Sequence, residues 1–375
     1  MSGVLVHEWL APRGGSENVF EALTRVFPDA ARYCLWNDSE GRFAVDGETW
    51  LARTPLRGRK AASVPLMPFA WRTLPRVDAD WVLASTHLFA HHARFGGAGR
   101  SAPKLVYAHT PARYIWNPEL DARGDTLAAR IAAGALKGLD RRRAQEPVAI
   151  AANSVFVQKR IAEAWHREST VIHPPVDVAG FLRPPQPNEH DHDLLARLPE
   201  SFLLGFSRFI PYKRLELAIE AGIAADLPVV LAGAGPDEAR LRAFADERAP
   251  GRVFFVRSPG AELYRALLQR SIALVFPAVE DFGIVPVEAM AAGRPVIAGA
   301  VGGTAETVIH GRTGALLENW SRDEMRRAVE TAAGASPEAC RAQGLKFSEA
   351  VFAERIGAWV AESLGEARAA QARTA

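Results

Sequence analysis

Short aliphatic and β-branched runs alternate along the chain with longer amphipathic stretches. In the first half the runs are GVLVHEWL (3–10), ARYCLW (31–36), WVLAS (81–85), KLVYAH (104–109), VAIAANS (148–154) and STVIH (169–173). In the second half they are SFLLGFSR (201–208), PVVLAGA (228–234), RVFFVR (252–257), IALVFPA (272–278) and PVIAGA (295–300). Apolar runs of strand length separated by helix-length amphipathic stretches predict an α/β chain with parallel sheets. Residues 174–200 are rich in proline and charge, as a linker is, and the strand–helix series restarts at Ser201. The expected organisation is a Rossmann-like domain over 1–175, a linker over 176–200, a second such domain over 201–350 and a terminal helix and tail over 351–375. The last stretch, from SRDEMRRAV onward, reads as two or three helices. Two open α/β domains joined by a hinge would face each other across a cleft. Ligands of such sheets bind beyond the carboxyl ends of the strands.

Composition narrows the class. At 375 residues, 48% hydrophobic and 23% charged, the chain is globular and longer than one core usually fills. Its two cysteines, Cys34 and Cys340, form no CxxC or Cys/His cluster. This argues against a disulfide framework or a zinc site and suits a reducing cytoplasm. The N-terminus lacks the pattern of a signal peptide, and no apolar run is long enough to span a membrane. Net charge is +2, divided as +6 over residues 1–185 and −4 over the rest. A basic first half suits phosphates or an anionic membrane; random asymmetry in an arginine-rich chain suits it equally.

Candidate chemistry gathers in the turns after the second-half strands. Arg208 ends SFLLGFSR, and Lys213 and Arg214 open an expected helix in its first turn. Cations there oppose the helix dipole unless an anion sits among them. After IALVFPA comes EDFGIVPVEAMAAG (280–293). The N–H groups of Phe282, Gly283, Ile284 and Val285 would face the same anion, Gly283 lets the backbone approach it, and Pro286 suits a first helical position. Glu288 is expected in the first helical turn, where it could complement the dipole or accept hydrogen bonds from two adjacent hydroxyls. Glu280, outside the helix, gains nothing from the dipole and is better placed on sugar hydroxyls. Near the N-terminus, Gly14 and Gly15 precede Ser16, an expected N-cap. That spacing fits neither a GxGxxG nor a P-loop motif.

These residues belong to a recognisable pattern. With RGGSENV (13–19), GFSRFIPYKRLELAIEA (205–221), GAGPDEARL (233–241), FPAVEDFGIVPVEAMAAGRPVIA (276–298) and VGGTAETVIHGRTG (301–314), the chain resembles the retaining nucleotide-sugar glycosyltransferases of the GT-B fold, glycosyltransferase family 4. YAHTPARYIWNP (107–118) and STVIHPPVDV (169–178) are similar to the branch holding O-antigen mannosyltransferases. The resemblance implies that Glu280 contacts the donor sugar, Glu288 the ribose, Arg208 and Lys213 the diphosphate, and Gly14 and Gly15 the phosphates from the other domain. It further implies that His109 lies near the reacting carbon and that Val256, Arg257 and Ser258 lie at the base, with Arg13, His87 and Arg113 on the acceptor side. Arg257 stands at or beside a position where the family has glycine, which leaves the nucleotide open. The implied reaction transfers a hexose, mannose from GDP-mannose first, to a glycan, lipid-linked or small-molecule acceptor. UDP- or other nucleotide sugars, a GT-B epimerase or phosphorylase, and a non-catalytic nucleotide-sugar-binding protein are the alternatives.

Glu280 is the one obvious carboxylate near the expected sugar and is better read as a hydroxyl ligand than as a nucleophile, so a front-face route with the leaving diphosphate as base is preferred, without metal or other cofactor. VDADW (77–81) lies at the wrong end of its strand, EHDHD (189–193) lies in the linker, and THLFAHH (86–92) lacks a helical carboxylate partner, so no metal site is expected. Residues 56–74 join Arg57, Arg59 and Lys60 to Leu66, Met67, Phe69 and Trp71. An interfacial helix at the inner face of a membrane and an ordinary buried helix with a basic loop both fit. Nucleic acid is not an expected partner.

Overall fold

The computed structural model describes residues 2–116 and 127–374, so the end of YAHTPARYIWNP, residues 117–118, lies outside the described residues. The chain divides into two compact units, Met1–Pro175 with Ala350–Ala375, and Val176–Glu349. Each is built on one parallel sheet.

The first sheet holds β1 (Gly3–His7), β2 (Ala31–Cys34), β3 (Gly47–Glu48), β4 (Trp81–Thr86), β5 (Lys104–Ala108), β6 (Ala149–Ala152) and β7 (Thr170–Val171). Their order is β3-β2-β1-β4-β5-β6-β7. The second holds β8 (Phe202–Phe206), β9 (Val229–Gly233), β10 (Val253–Arg257), β11 (Ser271–Phe276), β12 (Val296–Gly299) and β13 (Gly314–Leu317), in the order β10-β9-β8-β11-β12-β13. Both sheets start in the middle, run to one edge, then return to build the other side, as doubly wound nucleotide-binding sheets do. All eleven apolar runs contain a strand. The two strands outside those runs are β3, a Gly-Glu pair, and β13, which follows the HGRTG turn.

The central strands are apolar along their whole length because both faces are covered. In the first unit one face packs on Trp36, Trp71 and Phe89, and the other on Leu5, Phe20 and Leu23. The second unit repeats this with Phe202, Leu267 and Met290 on one face and Phe209, Ile219 and Val329 on the other. The expected linker segment carries two helices, Val178–Leu182 and Glu189–Ala196, capped by Asp177 and Asn188. The last helix, Glu349–Thr374, places Phe352, Ile356, Trp359 and Val360 in the first unit's core, where Phe352 meets Tyr107 edge-on at 5.8 Å. Among the described residues no helix is long and apolar enough to cross a membrane.

Candidate functional site

Each sheet reverses its winding once, between β1 and β4 and between β8 and β11. At such a point the loops leaving the two carboxyl ends diverge and leave room for a ligand. The polar groups singled out in the sequence lie mainly on these loops.

In the second unit, β8 ends at Phe206 and Arg208 follows, its side chain exposed and without a hydrogen-bond or ion-pair partner among the described residues. A 3₁₀ turn, Pro211–Lys213, comes next; Arg214 adopts a left-handed φ of 52°, and the helix proper is Glu216–Ala225. Lys213 therefore precedes the helix instead of occupying its first turn, because the left-handed residue interrupts it. Glu280, on the loop after β11, forms an ion pair with Lys213. The two side chains are only 18% and 11% exposed, so the pair is shielded well enough to matter. One residue expected on the sugar and one expected on the diphosphate thus hold each other.

Gly283, with φ 92°, caps the helix Ile284–Ala291, which has no side-chain cap. A Cβ here would lie 2.5 Å from Thr304 Oγ1, a buried hydroxyl with no hydrogen-bond partner among the described residues. The neighbouring turn locks the loop: Gly303 N–H donates to Glu280 O at 2.8 Å, and a Cβ on Gly303 would meet Asp281 O at 2.2 Å. Because the left-handed glycine lets the helix start at Ile284, Pro286 is its third residue and Glu288 its fifth. Proline is tolerated there since the third N–H has no intrahelical partner. Glu288 lies past the first turn, so the dipole explains little of it. Its carboxylate accepts a hydrogen bond from Tyr264 Oη at 3.2 Å, and the tyrosine ring stacks on Phe206 at 3.8 Å. Burial pushes the carboxyl of Glu288 up to about 7, opposed by the Tyr264 bond and aided by Asp177. Phe282 is buried against Phe347, while Ile284 and Val285 are half-buried. Val256 is buried in β10, Arg257 at its end is exposed and 3.7 Å from Glu238, and Ser258 turns the chain with φ 45°.

In the first unit Gly14 is the N-cap of the helix Gly15–Val26, so Gly15 is its first residue and Ser16, the expected N-cap, is already inside. Glu17 folds back over the turn. Its carboxylate accepts Ser16 Oγ–H at 2.8 Å and Ala11 N–H at 3.3 Å, and a Cβ at Gly14 would lie 2.0 Å from Glu17 Oε2. The bare backbone at Gly14 therefore makes room for a carboxylate of the protein itself. Arg13 is exposed beside it.

The β1–β4 reversal gathers His109 and His87, 6.2 Å apart between ring centroids, and adds His7, which the motif reading passed over. Burial lowers His87 to about 3 and His109 to about 4, so both are neutral at physiological pH; Arg113, opening the helix Arg113–Trp116, contributes to the shift at His87. Glu8 is buried beside them. Its Oε1 accepts Thr86 Oγ1–H at 3.0 Å and the N–H groups of Leu88 and Ala90 at 2.9 and 2.7 Å. Burial raises its carboxyl, against those bonds. A position test could have found both residues, since His7 and Glu8 stand where the first strand ends.

Two histidines of THLFAHH, His91 and His92, do have a helical carboxylate partner, Asp140 in the helix Leu127–Arg143, which corrects the expectation that the segment lacks one. His91, His92 and Asp140 are the group of donor atoms, among the described residues, close enough to hold an ion. Asp140 is already satisfied. Trp116 and Trp165 N–H donate to Oδ2 at 2.8 and 2.7 Å, and His92 Nε2 and His91 Nε2 lie 3.2 and 3.0 Å from Oδ1. Burial alone would raise this carboxyl; the facing histidines more than offset that and hold it well below the usual range. The cluster is a caged buried anion.

Residues 188–342 match the family model described as glycosyl transferases group 1. The D-rhamnosyltransferase of Pseudomonas aeruginosa is 34% identical over 188 residues, 48% of either chain. A GDP-mannose-dependent α-(1-6)-phosphatidylinositol monomannoside mannosyltransferase of Mycolicibacterium smegmatis is 30% identical over 197 residues, 47% of this chain and 50% of its own. The chain thus spans about half the length of the curated relatives it matches. The crystal structure of Anabaena HepE with UDP and glucose superposes with a TM-score of 0.68 at 19% identity, over 95% of this chain and 99% of that one. The chain has the GT-B architecture of such glycosyltransferase structures: two Rossmann-like parallel-sheet units.

The environment of Glu288 predicts a pH effect. Its folded pKa, about 7, lies above the ordinary 4.5, so the unfolded chain loses the proton first and stability falls as pH rises from about 4.5 to 7. Urea unfolding at pH 5 and pH 8 should show Glu288→Gln gaining on the parent chain at pH 8 and matching it at pH 5. Equal differences at both pH values would mean the carboxyl titrates normally.

Proposed function

We propose that the chain is a glycosyltransferase that moves a hexose from a nucleoside-diphosphate sugar to a glycan, lipid-linked or small-molecule acceptor, with retention at the anomeric carbon. The observation that carries this reading is the β8–β11 reversal: Arg208, whose side chain has no partner among the described residues, a shielded Lys213–Glu280 pair and an uncapped helix N-terminus at Gly283 lie on one set of loops, with the half-buried Glu288 one turn into the helix that follows. Cations and free N–H groups bind phosphate, and carboxylates bind hydroxyls. A nucleotide sugar presents both.

In this reading Arg208, Lys213 and the backbone N–H groups of the Gly283 turn neutralise the leaving diphosphate. That term dominates the barrier when the transition state is oxocarbenium-like. Glu288 accepts the two ribose hydroxyls. Lys213 and Glu280 are held as a pair until the donor's phosphate and sugar hydroxyls offer each a stronger partner. His109 contacts the sugar, and Arg13, His87 and Arg113 serve the acceptor. Val256, Arg257 and Ser258 meet the base. The likeness to a GDP-mannose-dependent enzyme favours GDP-mannose as donor. The UDP held by HepE favours a UDP-sugar as the second reading. Charge neutralisation by the protein requires no metal.

Peripheral contact with an anionic membrane is proposed through residues 56–74. Phe69 is 65% exposed and Leu66 37%, and the same segment carries the exposed cations Arg57, Arg59 and Lys60. Co-sedimentation with vesicles containing phosphatidylglycerol should be lost in Phe69→Asp; equal binding by both chains would remove this contact.

Two further outcomes are expected. Turnover with the intact donor should survive EDTA, and loss restored by Mg²⁺ or Mn²⁺ would contradict the metal-free reading. Calorimetry should separate the two glutamates. Glu288→Gln weakens both the free nucleoside diphosphate and the full donor, by about 1.5–3 kcal/mol per charge-assisted bond lost. Glu280→Gln leaves the free diphosphate nearly unchanged and lowers turnover. If both variants weaken the bare nucleotide equally, both carboxylates sit on the nucleotide.

A further inference from the structure

The ends of β1, β4 and β5 place three side chains in a line. His7 pairs in register with Ser85, and Ser85 with Tyr107, two residues before His109. His109 N–H then donates to Thr86 O at 2.8 Å, which holds the residue beside the β4 end. Ser85 Oγ lies 3.0 Å from His7 Nδ1 and 2.8 Å from His109 Nε2. His7 and Ser85 are fully buried, and His109 is 9% exposed.

A serine hydroxyl has one proton. Between two imidazoles it donates to one nitrogen and accepts from the other. The chain of three therefore has two states, and the tautomers of His7 and His109 are tied together. The far nitrogen of His7 distinguishes the states. His7 Nε2 is buried with no hydrogen-bond partner among the described residues, and the His7 ring is stacked on Phe20 at 5.0 Å. If His109 were the donor at the start of the line, His7 Nδ1 would accept and its proton would sit on Nε2, as a buried N–H with no acceptor. If His7 is the donor, Nε2 is bare. Orphaned buried N–H groups are the rarer defect.

We infer that His7 Nδ1–H donates to Ser85, that Ser85 Oγ–H donates to His109 Nε2, and that His109 carries its proton on Nδ1. His7 and Ser85 are then positioning residues. They make His109 a hydrogen-bond donor at Nδ1, the one of its nitrogens that is not taken by Ser85, and they prevent it from serving there as a base. The partner this selects is an oxygen acceptor, a sugar hydroxyl or a phosphate oxygen. This deepens the reading of His109 as a residue that contacts the donor, and rests on it for function alone; the tautomer itself does not depend on that reading.

The test is ¹⁵N NMR of the full chain labelled at histidine, at pH 7.5 without substrate, with His7 and His109 assigned from His7→Gln and His109→Gln. Both rings should show a protonated Nδ1 and a bare Nε2. A protonated Nε2 on His109 overturns the proposal. Ser85→Ala should leave the far-ultraviolet dichroism intact and convert the His109 signals to a mixture of tautomers; unchanged signals also overturn it. Ser85→Thr, which keeps the hydroxyl, should restore the single tautomer, and a persisting mixture counts against the relay. The kinetic arm separates the two readings. If the NMR is as inferred and Ser85→Ala lowers kcat for the nucleotide sugar tenfold or more, relay and function both stand. If the NMR is as inferred and kcat is unchanged, the relay stands and the donor-contact role of His109 falls.

Discussion

The constraint behind the site is the reversal of strand order in each sheet. A chain that starts a parallel sheet in the middle must leave the carboxyl ends of two adjacent strands with loops that part in opposite directions. Those loops expose backbone N–H groups that no strand or helix absorbs. In the second unit this is where Arg208, Lys213, Glu280 and Gly283 lie, and in the first it is where His7, Glu8, Ser85 and His87 lie. The chemistry follows from where the fold leaves polar groups without regular partners.

The two reversals solve this in different ways. In the second unit the charges are shielded or held in reserve. Lys213 and Glu280 neutralise each other, and Arg208 stays free among the described residues. In the first unit the polar groups are buried and held largely by partners within the protein, although His7 Nε2, Glu8 Oε2 and His87 Nδ1 have none among the described residues. Glu8 takes two backbone N–H groups and a threonine hydroxyl, Asp140 is caged by indoles and imidazoles, and Glu17 covers its own helix start. A satisfied buried network is rigid. It suits a surface that holds shape, whereas a paired lysine and glutamate can exchange partners when a ligand arrives.

Much of this was legible in the sequence. The apolar runs marked the central strands because both their faces are covered, so hydrophobicity alone located them. The two strands that went unread lie at sheet edges: β3 is only a Gly-Glu pair, and β13, although largely buried, is a four-residue run that begins with glycine at the end of a turn. Two helix starts differ from the expected ones, by three residues and by two, where a residue with positive φ intervenes: Arg214 delays one helix, and Gly283 advances another. Long-range pairings were not legible at all. Asp140 stands 48 residues from His92, and Tyr264 stands 24 from Glu288. Only the fold brings them together. His7 and Glu8 could have been found, since the first strand of such a sheet ends at its ligand side.

In the function proposed, the β8–β11 reversal holds a nucleoside diphosphate by its phosphates and its ribose together. Calorimetric titration of the full chain with GDP, UDP and the corresponding nucleosides tests this most directly. The account predicts one-site binding of at least one diphosphate, weakened by Arg208→Ala, with the matching nucleoside bound far more weakly. If none of the diphosphates binds, or the nucleoside binds as tightly as its diphosphate, the account is contradicted.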